Sequence, residues 1–257
     1  MGEKSPARPD VTHGPVCGGR CIVLLSGGLD STVTTALVVA RAAEVLALTV
    51  DYGQRAAARE LRAAQAIAAA LGCEWRSIGL PWLGELGCSA LTDAAQPIPQ
   101  VGVGGLSDGP EAAARTRGVW VPNRNGLFVA VAAAFADALG FDFIALGLNR
   151  EEGAAFADNT VQFALAATEF LAWSTLRHPV VVAPTAEMSK AEIVRLGLEL
   201  GAPLHLVWSC YEGGEEHCWS CESCARLRAA LESAGAWPES APSQGGVSGV
   251  GPAAQGR

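Results

Sequence analysis

The chain has 257 residues, of which 50% are hydrophobic and 17% charged, and its formal net charge is -8 at pH 7. This composition is typical of a globular protein with a substantial core, and it excludes fibrous, collagen-like and wholly disordered chains. Because 26 acidic residues outnumber 18 basic ones, no chain-wide positive field exists to hold a phosphate backbone, and we expect no nucleic-acid partner.

Short apolar runs alternate with Ala-rich amphipathic stretches along most of the chain. The runs predict strands at 21–25, 45–50, 74–78, 141–146 and 180–183, and the stretches predict helices at 31–43, 56–71, 126–139, 160–173 and 190–200. This alternation predicts an α/β fold with a doubly wound, mostly parallel sheet, whose ligands lie beyond the carboxyl ends of the strands. Residues 81–118 are rich in Gly and Pro, which predicts a long surface insertion that acts as a lid or substrate loop.

The two ends of the chain differ from this core in composition. Residues 1–20 have prolines and no apolar period, and residues 236–257 are mostly Pro, Gly, Ser and Ala, so both are predicted to be disordered. One catalytic domain is predicted over 21–235. No signal peptide or membrane-spanning segment is visible, and we expect a cytoplasmic protein with no membrane partner.

The strongest motif follows the first predicted strand and reads Ser26-Gly27-Gly28-Leu29-Asp30-Ser31-Thr32. Two glycines allow backbone N–H groups to approach a ligand closely, and the start of the next helix adds a positive dipole, so an anion is the expected guest. Asp30 would repel a phosphate unless a Mg²⁺ ion lay between them. An ordinary Gly-rich turn is the alternative, and it explains the glycines but not the hydroxyls and the acid.

This loop resembles the pyrophosphatase loop of the ATP pyrophosphatase families, which reads SGGxDS. The resemblance implies an adenine-nucleotide alpha-hydrolase-like fold. It also implies cleavage of ATP between the α and β phosphates, with AMP transferred to a carboxylate or carbonyl oxygen before a nitrogen or sulfur nucleophile displaces it. The ATP contacts that it implies are Leu25, Ser26, Gly27, Gly28, Leu29, Asp30, Ser31, Thr32, Val33, Thr34 and Thr35.

Further motifs resemble one family, the 7-cyano-7-deazaguanine synthases, over about residues 22–230. The segments DYGQR at 51–55, VPNRN at 121–125, GLNREE at 147–152 and MSKAEIV at 188–194 match the family's DYGQR, VPxRN, GxNxED and TKxEIV. The resemblance implies catalytic roles for Asp30, Lys190 and Arg124. The substrate contacts that it implies are Tyr52, Gln54, Arg124, Asn125, Asn149 and Asp158.

Three of these residues also have chemical arguments of their own. Arg124 suits a phosphate or a carboxylate, and Asn125 is expected to cap the next helix. Lys190 is one of only two lysines in the chain, and we expect it to offset phosphate charge. The alternative for Lys190 is a solvated lysine at a helix start.

Residues 152–160 depart from the family's commonest version, DYSGYPDCR. Asp158 is kept, whereas the chain has Glu152 for the first Asp, Phe156 for the second Tyr, Ala157 for Pro, Asn159 for Cys and Thr160 for Arg. We interpret the change as the mark of a subgroup with the same reaction. The alternative is a pocket altered for a related deazapurine or for another amine acceptor.

Four of the eight cysteines form the pattern C-x7-C-x2-C-x2-C at Cys210, Cys218, Cys221 and Cys224. Four soft sulfurs in a reducing compartment favour tetrahedral structural zinc, and the family resemblance includes this motif as WSCY followed by CxxCxxC. An iron–sulfur cluster and a persulfide-carrying cysteine pair are the alternatives, and His217 could replace one ligand. Cys21 and Cys73 are predicted to be buried, and Cys17 and Cys88 to lie in loops.

The resemblance implies that 7-carboxy-7-deazaguanine, ammonium and ATP react to give 7-cyano-7-deazaguanine, the precursor of queuosine. The expected partners are therefore a deazapurine carboxylate, ammonium, ATP with Mg²⁺ and one Zn²⁺ ion, and a homodimer is common in the family. Three alternatives are weaker. A tRNA thiolation enzyme needs a positive RNA surface, a glutamine-dependent amidotransferase needs a glutaminase domain, and a non-catalytic zinc module leaves the SGGLDS loop unexplained.

Overall fold

Five strands form the centre of the structure, a computed structural model that describes residues 16–101, 106 and 110–237. They are Arg20–Leu24 (β1), Glu44–Asp51 (β2), Glu74–Gly79 (β3), Phe143–Leu146 (β4) and Val180–Val182 (β5). The strands lie in the order β3-β2-β1-β4-β5, and all four neighbouring pairs are parallel. The predicted α/β fold with a parallel sheet is confirmed.

Helices lie on both faces of this sheet. In the described part of the chain they are Leu29–Val39 (α1), Ala57–Leu71 (α2), Pro81–Glu85 (α3), Pro110–Gly118 (α4), Arg124–Leu139 (α5), Arg150–Gly153 (α6), Val161–Ser174 (α7), Lys190–Glu199 (α8) and Glu222–Ser233 (α9). Short 3-10 turns occur at Ala157–Asn159 and Leu204–Leu206. No helix among the described residues combines the length and the apolar character needed to cross a bilayer.

The alternation of side chains along β1 explains why both faces of the sheet are covered. Ile22 is fully buried on one face, where it packs in a cluster with residues of α5 and α7 such as Val129 and Leu171. Its neighbour Val23 is fully buried on the other face, against Val38 of α1. A strand that is apolar on both sides must lie between two helical layers, which is the doubly wound arrangement.

The strand order creates a crevice between β1 and β4. From β1 the chain moves outward to β2 and β3, and it then crosses to the other side of β1 to form β4 and β5. The connections that follow β1 and β4 therefore run in opposite directions, which is where open α/β sheets bind ligands. Gly147 follows β4 directly, and a Cβ atom there would lie only 2.5 Å from Ser31 Cα, so the two connections touch.

Four predicted boundaries moved by two residues or more, among them the start of α5, which is Arg124 instead of residue 126. Two of them have identifiable reasons. α1 begins at Leu29 instead of residue 31, because the Thr32 N–H already donates to the Gly28 carbonyl. The fourth strand begins at residue 143 instead of 141, because the Phe141 N–H donates to the Ala136 carbonyl in the turn that ends α5. α1 also ends at 39 instead of 43, and the other predicted helix and strand bounds agree to within two residues.

The predicted insertion at 81–118 has more structure than its composition suggested. It contains α3 and α4, and its described middle part buries Leu91 and Ile98 in a cluster with the cysteine residues. The Val101 N–H donates to the Ser220 carbonyl at 2.7 Å, which joins the insertion to the C-terminal segment. Residues 102–105 and 107–109 lie outside the described residues.

The predicted disordered ends require one correction. Val16 is buried and Arg20 begins β1, so residues 16–20 belong to the fold. Trp237 packs edge-on against Trp219, so the fold extends to residue 237 at the other end. The remaining residues of the two predicted extensions, 1–15 and 238–257, lie outside the described residues.

Candidate active site

A cavity of about 210 Å³ lies at the crevice between β1 and β4. Its walls come from the loop after β1, the carboxyl ends of β1, β2 and β4, the start of α5 and α8, and the segment before the cysteines. Among the residues assigned from sequence, the cavity is lined by Leu25, Ser26, Gly28, Leu29, Asp30, Ser31, Tyr52, Gln54, Arg124, Asn125 and Lys190. The fold thus brings together residues that are up to 165 positions apart in the chain.

The loop after β1 is held in a closed turn by its own hydroxyl groups. Ser26 Oγ lies 3.1 Å from Ser31 Oγ, and the Gly28 N–H donates to Ser26 Oγ at 3.3 Å. Gly27 has a φ of 86°, and a Cβ atom at this position would lie 2.9 Å from the Cβ atom of Ala63 in α2. Only glycine fits this turn, because both the backbone conformation and the space exclude a side chain.

Three charged side chains meet beside this loop. Lys190 Nζ lies 2.7 Å from Asp30 Oδ2 and 2.9 Å from Glu152 Oε1. Asn149 caps α6 through its side-chain oxygen, and its amide donates to the same Asp30 oxygen at 3.0 Å. The other oxygen, Asp30 Oδ1, is buried and has no hydrogen-bond partner among the described residues. One oxygen of this carboxylate therefore has lone pairs that no donor among the described residues satisfies.

The protonation states of these three side chains follow from their burial and from the presence of one cation beside two anions. Burial alone would lower the pKa of Lys190, but Asp30 and Glu152 outweigh it and raise that pKa, so the ammonium form persists. Burial opposes ionisation of Glu152, yet Lys190 lowers the pKa of Glu152 to about 2. Burial raises the pKa of Asp30 above its ordinary value, although Lys190 opposes the shift. Asp30 is thus the one of the three whose charged form the surroundings disfavour.

Four residues assigned to ATP point into the fold instead of the cavity: Thr32, Val33, Thr34 and Thr35. The hydroxyls of Thr32 and Thr35 donate to backbone carbonyls one turn earlier, both at 2.7 Å. Thr34 Oγ1 lies 3.2 Å from Thr185 Oγ1, and Val33 is fully buried in the core. These side chains fix α1 in place, because each hydroxyl already has a partner.

The side chains after β2 form a second polar group on the cavity wall. Gln54 Nε2 donates to Glu60 Oε2 at 2.8 Å, and Gln54 Oε1 accepts from the Tyr52 N–H at 2.9 Å. Burial raises the pKa of Tyr52 to about 12 and also raises the pKa of Glu60. Glu60 was not among the residues predicted from sequence, although its place in the first turn of the helix after DYGQR could have suggested it.

Arg124 lies at the junction between the main cavity and a smaller one of about 60 Å³. Its guanidinium carbon is 5.9 Å from the centroid of the Tyr52 ring. Burial would lower the pKa of Arg124, but Tyr52 and Asp158 outweigh it and keep the group charged. Asp158 lines only the smaller cavity, so Arg124 is the assigned residue that reaches both.

The expected helix cap at Asn125 is wrong. The residue that precedes α5 is Asn123, which has a left-handed backbone with a φ of 52° and makes no side-chain cap bond. Asn125 lies inside the first turn, and its amide donates to the Asp158 carbonyl at 3.0 Å. Its role in the fold is therefore to tie α5 to the short turn that contains Asp158.

The four predicted ligand cysteines converge. Their sulfur atoms all lie within 4.8 Å of one another, and three of the four residues are buried. Cys218 and Cys224 have a sulfur–sulfur distance of 4.0 Å, and the Cys221 N–H donates to Cys218 Sγ at 3.3 Å. This cluster could hold a metal ion, and the four sulfurs complete it without His217. Cys21, Cys17 and Cys88 have the burial and loop positions predicted for them, whereas Cys73, predicted to be buried, is half-buried.

His217 has a structural contact that its position beside Cys218 did not reveal. Its Nε2 atom accepts a hydrogen bond from the Ser209 N–H at 3.2 Å, and its ring lies 4.5 Å from the centroid of Trp208. Burial lowers the pKa of His217 to about 4, so the ring is neutral and can accept this bond. The contact orders the segment 208–211, which lines the main cavity with Trp208, Ser209 and Tyr211.

Comparison with known proteins agrees with the motifs. The family model described as "Queuosine biosynthesis protein QueC" matches residues 20–235. A 7-cyano-7-deazaguanine synthase from Desulforudis audaxviator is 51% identical, over 83% of this chain and 97% of its own length. Synthases of the same name from Pelotomaculum thermopropionicum and Methanosarcina mazei are 45% and 38% identical, over 84% of this chain and 98% and 95% of their own lengths. The chain therefore belongs to the QueC family of queuosine biosynthesis proteins.

Proposed function

We propose that this chain is an ATP-dependent carbon–nitrogen ligase that converts 7-carboxy-7-deazaguanine and ammonium to 7-cyano-7-deazaguanine. The name of its curated relatives supports this reaction. The observation that carries the proposal is the pairing of the glycine-rich loop after β1 with the largely buried pair of Asp30 and Lys190 and with Glu152 beside it. A phosphate-binding turn next to a buried acid and a buried cation is suited to nucleotide chemistry at a carboxylate.

The reaction needs two activations, because oxygen leaves a carboxylate or an amide poorly. The carboxylate oxygen attacks the α-phosphorus of ATP, which releases pyrophosphate and forms an acyl adenylate. Ammonia then attacks the acyl carbon, and AMP leaves with the oxygen to give the amide. A second ATP activates the amide oxygen in the same way, with release of pyrophosphate. AMP then leaves with that oxygen, and the nitrogen gives up both of its protons over the two steps, which leaves the nitrile. One cavity serves both rounds, since each begins with an oxygen at the α-phosphorus.

Several groups of this chain would stabilise the charge that develops on the phosphates. Ser26, Gly28 and Ser31 line the cavity at the start of α1, where the helix dipole is positive and backbone N–H groups could turn to a phosphate. Lys190 would contribute a full positive charge, and Arg124 would hold the substrate carboxylate against the loop. Lys190 is largely buried and Arg124 is half-buried, and both are charged before substrate binds.

The donor set around Asp30 fits a magnesium ion. Hard cations prefer carboxylate oxygens, and Asp30 Oδ1 is a buried oxygen with no partner among the residues that the structure describes. A bound Mg²⁺ would supply positive charge that offsets the charge of the phosphates. Lys190 and Asn149 hold Oδ2, which leaves Oδ1 as the oxygen that would bind the ion.

The cysteine cluster fits structural zinc. Zinc–thiolate bonds of about 2.3 Å in a tetrahedron separate the sulfurs by about 3.8 Å, and the 4.0 Å between the sulfurs of Cys218 and Cys224 is close to this value. The sulfurs of all four residues are needed to close the shell, so we assign the ion no step in the reaction. Its role is to hold the segments that carry Trp208, Tyr211 and Ser223 against the main cavity.

We also propose a homodimer that works in the cytoplasm without nucleic acid. The acidic balance of the chain argues against a nucleic-acid partner, and clustered free thiols suit a reducing compartment. The dimer is supported by an apolar face at the end of α7, which consists of Phe170, Trp173 and Leu176. Trp173 and Leu176 are each 89% exposed, which is unusual for large apolar side chains in a monomer.

Purified protein supplied with 7-carboxy-7-deazaguanine, ammonium and ATP tests the reaction. We expect two AMP and two pyrophosphate molecules for each nitrile, measured by chromatography and mass spectrometry, as the two-activation scheme requires. Omission of ammonium should stop the formation of amide and nitrile. If ATP is used only when tRNA and a sulfur donor are added, the synthase reading fails and a thiolation enzyme takes its place.

A further inference from the structure

The smaller cavity beside Arg124 has features that the proposed chemistry at the phosphates does not use. Its walls include Asp158, Asn159, Glu222 and a flat aromatic pair, Trp120 and Phe156. The two rings are nearly parallel, with an interplanar angle of 12° and centroids 5.7 Å apart. Flat apolar walls together with buried acids suit a planar heterocycle that carries N–H donors.

The acids on this cavity wall differ in their partners, and Asp158 has the positive charge of Arg124 near it but no direct ion pair among the described residues. Glu152 is held by Lys190, and Glu222 lies 2.6 Å from Arg226. Glu151 accepts a hydrogen bond from the backbone N–H of Lys190 at 3.1 Å. Within the described residues, Asp158 makes no salt bridge.

The two oxygens of Asp158 are in different situations. Oδ1 accepts a hydrogen bond from the Asn159 amide at 2.9 Å, whereas Oδ2 accepts none from the described residues. The residue is only 9% exposed and lines the smaller cavity, so a ligand in that cavity can reach its side chain. A carboxylate oxygen without a donor in the protein takes one from a ligand or from water.

We propose that the smaller cavity binds the pyrimidinone edge of the deazaguanine, with Asp158 accepting hydrogen bonds from its N1–H and 2-amino groups. This inference rests on the proposed function and names the site of its base. An ionised carboxylate accepts two parallel N–H bonds, and the guanine edge presents two adjacent donors. Adenine presents one amino donor beside an acceptor nitrogen, which repels a carboxylate, so the nucleoside of ATP belongs in the main cavity.

The position of Arg124 agrees with this orientation. It lines both cavities, so a base in the smaller one directs its carboxylate past Arg124 toward Asp30 and the glycine-rich loop. The departure of residues 152–160 from the common family pattern also falls on this wall. Asn159 stands where the family most often has Cys, and its amide fixes the carboxylate that we assign to the base.

Binding of two ligands to the full-length chain tests the proposal without any substitution. One ligand is 7-carboxy-7-deazaguanine, and the other is 7-carboxy-7-deazahypoxanthine, which lacks only the 2-amino group. We expect calorimetry to show about 10-fold or more weaker binding of the second, the usual effect of a lost bond to a charged group. Equal affinities would overturn the assignment.

The Asp158→Asn variant adds the residue to the test. It should bind 7-carboxy-7-deazaguanine about 10- to 100-fold more weakly, discriminate less than about 3-fold between the two ligands and keep the KM for ATP. Glu199→Gln is the matched control, since it removes the same charge at an exposed position on α8, and it should retain full discrimination. Undiminished discrimination by a folded Asp158→Asn protein contradicts the proposal.

Two further measurements separate the possible failures. If Asp158→Asn does not fold, Asn159→Ala leaves the carboxylate intact but frees it, and we expect about 3- to 10-fold weaker binding from this variant. Unchanged affinity of Asn159→Ala would contradict the placement of the base. If wild-type protein neither binds 7-carboxy-7-deazaguanine nor uses ATP with it, the proposed function falls as well. If wild type turns over 7-carboxy-7-deazaguanine but Asp158→Asn discriminates between the two ligands as well as wild type does, only this inference is rejected.

Discussion

At the scale of single residues, the site depends on one carboxylate that the fold leaves partly unsatisfied. Asp30 is buried, shares Lys190 with Glu152 and has one oxygen without a partner among the described residues. Such an arrangement costs stability, because burial of an ionised group is compensated only in part. Proteins accept this cost at positions where a ligand completes the contacts.

The Asp30→Asn variant should separate activity from stability. We expect kcat to fall about 100-fold or more, because the amide cannot hold a magnesium ion as a carboxylate does. We expect the melting temperature at pH 7 to be unchanged or higher, because the variant leaves Lys190 paired one to one with Glu152. Steady-state kinetics and calorimetry of the same preparation check both expectations.

The pH dependence of this comparison has a definite sign. The pKa of Asp30 is raised in the folded protein, so the stability of wild type falls as pH rises through that pKa, whereas an asparagine does not titrate. The melting temperature of Asp30→Asn minus that of wild type should therefore grow with pH. Unchanged turnover would remove Asp30 from the magnesium role, and a variant that is less stable at all pH values would show that its carboxylate supports the fold.

Residue types and short motifs were enough to predict the members of this site but not their contacts. Asp30 could be named because an acid is out of place in a phosphate loop, and Lys190 and Arg124 because their segments resemble motifs of a known family. That Lys190 binds Asp30 could not be predicted, since 160 positions separate them and only the crossing from β3 to β4 brings them together. The open oxygen of Asp158 depends on side-chain directions in a 3-10 turn, for which the sequence has no periodic signal.

At the scale of elements, the cysteine segment acts as a wall of the active site. Its first part runs beside the glycine-rich loop, and the Trp208 N–H donates to the Gly27 carbonyl at 2.8 Å. Its last part begins α9 at the residue after Cys221, which places Ser223 on both cavities. The spacing of the cysteines predicted the cluster well, because two-residue gaps bring sulfurs together whatever the rest of the fold.

Removal of the metal should therefore damage the cavity as well as the segment itself. We expect elemental analysis to find about one zinc per chain and chelation to lower the melting temperature by about 10 °C, with loss of ATP binding. Added zinc should restore both. A protein that keeps its ATP affinity after the metal is removed would contradict the role of the segment as a wall.

A pair of substitutions gives this test a control. Cys224→Ser removes one ligand and should behave like the metal-free protein, whereas Cys17→Ser changes an exposed cysteine far from the cluster in sequence and should behave like wild type. An iron signal with visible absorbance in place of zinc would reject the assignment of the ion while leaving the cluster itself intact.

At the scale of the whole molecule, helices cover both faces of the sheet, but the outer surface of one helix, α7, exposes large apolar side chains to solvent. α7 contacts the core through Ala164 and Leu171 and presents Phe170 and Trp173 to solvent, followed by Leu176. A helix that is apolar on most of its surface is normally buried on most of its surface. A two-fold contact between copies would cover this face in both, because each copy supplies the same patch.

The association state tests this interpretation. Sedimentation equilibrium should give twice the chain mass of 26.4 kDa for wild type and the single mass for Trp173→Glu/Leu176→Glu. Leu198→Glu places the same charge on a half-exposed leucine of α8 and should leave the dimer intact. A monomeric wild type at micromolar concentration, or a double variant that still dimerises, would contradict the proposed interface.

The hydrogen bond between Trp208 and Gly27 also bears on when, during synthesis, the protein can first bind nucleotide. The glycine-rich loop leaves the ribosome first, and the tryptophan that borders it follows some 180 residues later. At about 5 to 20 residues per second, roughly 10 to 40 s pass between the two. During that time the nascent chain has a phosphate loop without its neighbouring wall, so nucleotide binding is deferred until the cysteine segment has emerged.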